Sequence, residues 1–190
     1  AHKKELDTII GYELSEPNIC VLDMARCIID GEVIGERDIL RIDRKLRERY
    51  HLGYRGGAKL QTWFVAQRKI PVLAKIKLEY DFFIDKNLED MELVVENANE
   101  TKISINDVVI SEICGKWIDI CFDKLKVKKE LLKQGKNTIT FELEFKENSN
   151  LEAIYLLGNF GVAIDKTKLT LEELPKNIGF GKLKDYGLPF

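Results

Sequence analysis

Histidine is nearly missing from this 190-residue chain, with His2 and His51 the whole complement. His2 sits at the extreme N-terminus, so only His51 could act as the base of a Ser/His/Asp or Cys/His arrangement. His51 closes a helical pattern, where a solvated or cationic imidazole suits the helix dipole better than it suits proton transfer. The sequence also lacks a GxSxG elbow, a Walker phosphate loop, an HExxH helix and an EF-hand loop. Gly53, Gly56 and Gly57 do not connect a strand to a helix, which excludes a dinucleotide fingerprint. No cofactor and no metal ion is implied.

Charge of one sign is not in excess either. Thirty Lys+Arg against 32 Asp+Glu leave a net charge of −2, so no global field draws the chain to nucleic acid or anionic lipid. No apolar run approaches the length of a membrane span, and the opening AHKKELD is not a signal peptide. Neither nucleic acid nor membrane is expected as a partner, and the cytoplasm is the expected location. Because the first residue is Ala1 and not Met, the chain is read as a piece excised from a longer polypeptide.

Cysteine is sparse. Cys20, Cys27, Cys114 and Cys121 fit no CxxC metal or redox spacing. Their neighbours are apolar and strand-like, which predicts four reduced thiols behaving as small core hydrophobes.

What is present is a succession of short β patterns. IIGYELSEPNICVLDMARCIIDGEVI reads as strands broken at Pro17-Asn18 and Asp30-Gly31. One helix is predicted over 36–51, where Ile39, Ile42, Leu46 and Tyr50 recur every three or four residues and Gly53 is placed to stop it. Ile76, Leu78, Tyr80, Phe82 and Ile84 then alternate with Lys75, Lys77, Glu79 and Asp81, Phe83 being the exception, as a half-buried strand requires. Asn106-Asp107 marks a hairpin turn, a short helical turn is predicted near 127–134, and TITFELEF alternates again. One mainly β domain over 1–190, an antiparallel β-sandwich, is the expected fold.

The candidate chemistry is thin. Glu79 with Asp81, and Glu142 with Glu144, are i,i+2 pairs opposite an apolar strand face and read as solvated surface, not as a glycosidase pair. Glu172 with Glu173 is a further local pair. The lysines at 124, 126, 128, 129, 133 and 136 are interrupted by Asp123 and Glu130 and read as a solvated helical face. Trp117, opening a strand after Gly115, is expected in the core. The segment LGYRGGAKLQTWF places Tyr54, Arg55, Gln61, Trp63 and Phe64 on a connecting loop. A sugar's C–H face stacks on such rings and Arg or Gln can bond its hydroxyls, while the competing reading has Trp63 plugging the sandwich's open end.

Taken in order, PNICVLDMARCIIDGE, ILRIDRKLRERYHLGYRGG, QTWF, IKLEYDFFID, LVVENANETKISIND, GKWIDICFDKLKV, LLKQGKNTITFELEF, LEAIYLLGNFGV and YGLPF resemble a known family. It is the jelly-roll, galactose-binding-like accessory domain of large bacterial glycoside hydrolases of the family-two and rhamnosidase-like kind. The resemblance implies a non-catalytic, carbohydrate-associated module whose partners are a possible carbohydrate and the parent's other domains. The alternative is a structural domain packed against a catalytic barrel with no ligand of its own. It also implies that YGLPF leads into a further strand beyond the end of this chain.

Overall fold

The computed structural model describes residues 9–54, 69–96, 98–166 and 168–188. Strands β1 (Ile9–Gly11), β2 (Asn18–Leu22), β3 (Met24–Ile29) and β4 (Glu32–Asp38) precede helix α1 (Ile39–Arg49). Then come β5 (Val72–Ile84), β6 (Met91–Glu96), β7 (Thr101–Ile105), β8 (Val108–Ile110), β9 (Ile113–Trp117), β10 (Asp119–Val127) and β11 (Gly135–Lys146). β12 (Ile154–Gly158), β13 (Gly161–Asp165), β14 (Lys168–Glu172) and β15 (Asn177–Gly179) follow.

Two sheets face each other across one core. The smaller has the order β2-β12-β6-β10-β9; the larger runs β13-β14-β5-β11-β7-β8, with β3 pairing both β4 and β5. Pairing is antiparallel throughout except for a short parallel contact between β14 and β5, and β1 pairs β15 separately. The strict alternation read in β5 has its physical consequence here: Ile76, Leu78, Tyr80, Phe82 and Ile84 are all buried against Leu93, Val95, Leu125 and Leu156 of the facing sheet. Asp30-Gly31 and Asn106-Asp107 both take positive φ, as the tight turns of β3–β4 and β7–β8 demand. Asn106 does more than turn: its amide donates to Leu131 O and Asn137 Oδ1, both at 2.8 Å, tying the hairpin to the 3-10 turn Lys129–Leu131.

The helix is shorter than its periodicity predicts. Glu36, Arg37 and Asp38 stay in the β3–β4 ladder, opposite Arg26, Ala25 and Met24, so inter-strand hydrogen bonds win over helix propensity. Asp38 instead caps α1, its carboxylate accepting from Leu40 N at 2.9 Å and Arg41 N at 3.2 Å. At the other end His51, and not Gly53, turns left-handed with φ 54, and Leu52 N reaches back to Arg47 O at 2.8 Å. The buried face of α1 carries an ion pair, Arg47 with Asp43 at 2.8 Å, both side chains 5 % exposed. Arg47 also donates to Gly53 O, Glu147 O and Ser149 O, fastening the helix to the segment after β11.

The C-terminal segment is latched to β2. Buried Asn18 donates from Nδ2 to Phe160 O and Gly187 O, each at 2.8 Å, while its Oδ1 accepts from Ile19 N at 2.9 Å. Gly187 sits at φ 69, and a Cβ there would lie 2.9 Å from Val162 N, so the close approach as well as the turn requires glycine. Pro189 and Phe190 lie outside the described residues.

All four cysteines are free, but only Cys20 and Cys27 are core residues; Cys114 is exposed and Cys121 half-buried on the β9–β10 hairpin. The expectation of four core thiols fails there because the β9–β10 pairing is irregular, with register shifts between Asp119 and Asp123 and between Lys124 and Leu125. Burial, reinforced by Asp23, pushes the Cys20 thiol up to about 12, and burial pushes Cys27 up to about 11. A neutral-pH alkylating agent should therefore label Cys114 and Cys121 in the native protein and all four after denaturation, read by intact mass. Rapid native labelling of Cys20 or Cys27 would contradict this packing.

Candidate functional site

The loop singled out by sequence falls almost wholly outside the described residues: Arg55, Gln61, Trp63 and Phe64 belong there. Tyr54 is described. It is 59 % exposed, donates to Glu48 Oε1 at 3.2 Å and lies under the Arg44 guanidinium, 5.0 Å from ring centre. The ring is thus held at the end of α1 by residues that also pair with each other, Arg44 to Glu48 at 3.1 Å.

The paired carboxylates lie on the outer face of the larger sheet and are engaged by cations. Glu79 pairs with Arg26 and, at 2.7 Å, with Lys77; Asp81 pairs with Lys136 at 2.7 Å; Glu142 pairs with Lys102 at 2.9 Å. Burial alone would raise the Glu79 carboxyl, but hydrogen bonds from Lys77 and Arg26, with their charges, outweigh it and hold the group below the ordinary glutamate value. Lys124 and Lys126 belong to β10, Lys129 to the 3-10 turn and Lys136 to β11, so the lysine run is spread over a sheet and a loop instead of one helical face. Among the described residues no group of three or more His, Cys, Asp or Glu is placed to hold a metal ion. No helix among them is long and apolar enough to cross a membrane.

A different cluster stands out on the smaller sheet. Trp117 is not in the core but half-buried on that sheet's outer face, with Phe122 and Tyr155 beside it. Ring centres are 6.1 Å apart for Trp117–Phe122, 5.2 Å for Trp117–Tyr155 and 6.0 Å for Phe122–Tyr155. The register explains the meeting. Tyr155 on β12 faces Val94 of β6, and the next outward position of β6, Glu96, faces Phe122 of β10. At the hairpin tip Trp117 opposes Asp119, and Ile118 between them has φ 56. A β-branched residue in that region costs about 1–3 kcal/mol, the kind of local strain that clusters at functional sites. Ile118 and Ile120 are 87 % and 83 % exposed beside the rings.

Polar groups rim the cluster. Glu96 accepts from Asn150 Nδ2 at 2.6 Å, and the Tyr155 hydroxyl is raised by burial and by the nearby Glu152 and Glu96 carboxylates. Lys116 pairs with buried Asp123, which also accepts from Ala98 N at 3.0 Å and fixes the root of the hairpin. Three half-buried rings with polar side chains at their edge make a surface on which an amphipathic ligand can stack and hydrogen-bond. A separate groove of about 760 Å³ between β2, β13 and the C-terminal segment is lined by Ile19, Val21, Val162, Ile164, Leu169 and Leu188. Among the described residues its lining has no ring, and the Asn18 amide beside it is already engaged.

No family model, no curated protein and no solved structure matches the chain.

Proposed function

We propose that the chain is a carbohydrate-binding accessory module of a larger glycoside-hydrolase-like protein, with Trp117, Phe122 and Tyr155 as its sugar contact. The observation that carries this reading is the outward-facing aromatic cluster itself, three half-buried rings gathered on the sheet face away from the core. A pyranose ring has an apolar C–H face and equatorial hydroxyls, and the cluster pairs aromatic faces with the Glu96 and Asn150 side chains in the same way. The jelly-roll resemblance supports a sugar-associated role without assigning any residue to it.

One observation favours a second reading, a structural domain packed on a neighbouring domain. Ile118 and Ile120 are largely exposed aliphatic residues, and aliphatic surface suits a protein partner better than a sugar. A glycan array followed by titration of the best hit separates the two. Trp117→Ala should weaken binding about tenfold or more, because losing one stacked ring forfeits on the order of 1–2 kcal/mol. Trp63→Ala run in parallel tests the loop read from sequence. Absence of any hit, or full affinity in a folded Trp117→Ala variant, removes the aromatic cluster as a sugar site.

A further inference from the structure

The three rings do not form a flat strip. Their planes meet at 68° for Trp117–Phe122, 51° for Trp117–Tyr155 and 85° for Phe122–Tyr155. Docking on the flat face of a crystalline polysaccharide needs coplanar rings, so that several sugars can stack at once. Rings tilted against each other form a bent surface that fits one or two pyranose units of a free chain.

Charge around the cluster narrows the ligand further. Glu96 is the register partner of Phe122, so its carboxylate stands at the edge of the rings. One of its oxygens accepts from Asn150 Nδ2, a neutral donor that leaves the negative charge in place. Among the described residues the cations next to the rings are already matched: Lys124, in line with Tyr155 through Val94, pairs with Glu92 at 3.1 Å, and Lys116 pairs with Asp123. A carboxylated or sulfated sugar brought to these rings would meet the like charge of Glu96, with no unpaired cation beside it among the described residues.

From this geometry, and resting on the sugar-binding reading above, we infer that the cluster accepts the end of a soluble, non-anionic oligosaccharide and excludes uronic-acid and sulfated chains as well as flat crystalline surfaces. The intact chain is screened at low ionic strength against arrayed neutral, amino-sugar, uronic-acid and sulfated glycans, and the best hits of each charge class are titrated. Pull-down on insoluble crystalline polysaccharide accompanies the titration. Non-anionic hits should bind about tenfold or more tightly than anionic glycans of equal length. Glu96→Gln should shrink that ratio severalfold, and added salt should shrink it further. Sugar binding that is lost in Trp117→Ala but shows no charge preference, or a preference that Glu96→Gln leaves unchanged, overturns this inference and leaves the module reading standing. Retention on the crystalline solid as strong as on the soluble chain does the same. Failure of every glycan class to bind overturns both.

Discussion

Arg47→Ala should destabilise the fold by about 3–5 kcal/mol, because it removes the guanidinium paired with the buried Asp43 carboxylate. The guanidinium also donates to Gly53 O, Glu147 O and Ser149 O, so truncation frees three carbonyls of the segments flanking the helix. In a chain of this size such a loss lowers the melting temperature by roughly 10 °C or more. Urea melts of the single variant, of Asp43→Leu and of the double variant Asp43→Leu/Arg47→Met resolve the contribution. The double variant should recover part of the loss, since apolar side chains of similar volume take both charges out of the buried site. An Arg47→Ala protein that melts within about 1 kcal/mol of the parent would mean that the pair is solvated.

That ion pair was half legible. The i,i+4 spacing of Asp43 and Arg47 is visible in sequence, but equally so for Arg44 and Glu48, which is exposed at 66 % and 53 %. Which pair turns inward depends on helix phase, and the phase was obscured because Glu36–Asp38 continue a strand. Where one local pattern decided the outcome, reading was reliable: the β5 alternation, the Asp30-Gly31 and Asn106-Asp107 turns and the antiparallel sandwich all follow from spacing of two and from turn chemistry. The aromatic cluster was not legible, because it joins β9, β10 and β12 through pairings between segments distant in sequence. A weak signal existed. Tyr155 and Leu157 alternate with the core residues Ile154 and Leu156, so β12 is apolar on both faces, as is a strand with something to bury on each. Residue type and its place at a strand's start point Trp117 inward; the irregular register between Asp119 and Asp123 puts it outside.

Asn18→Asp should be among the most damaging conservative changes in the protein, and its cost should depend on pH. The asparagine amide donates two hydrogen bonds, to Phe160 O and Gly187 O, from a side chain buried between β2 and the C-terminal segment. An ionised aspartate keeps the shape and the acceptor for Ile19 N but turns both donors into a negative oxygen facing two carbonyl oxygens. Two unmatched buried acceptors at about 1–3 kcal/mol each, with desolvation of the charge added, predict a loss of roughly 3 kcal/mol or more near neutral pH. Protonation relieves it, since a neutral carboxyl can donate one bond again. Burial and the carbonyls therefore raise the folded-state pKa of the introduced group above its unfolded value. The folded state then binds the proton more tightly, and stability relative to the parent falls as pH rises from the unfolded pKa through the folded one. Asn18→Ala, which lacks the titrating group, should show a comparable loss that does not vary with pH. Melts of both variants and the parent between pH 4 and pH 8 give the comparison, with ~pH 4 set by the ordinary aspartate value. A pH-independent deficit in Asn18→Asp, or none at all, would show that the C-terminal segment is not held by this side chain.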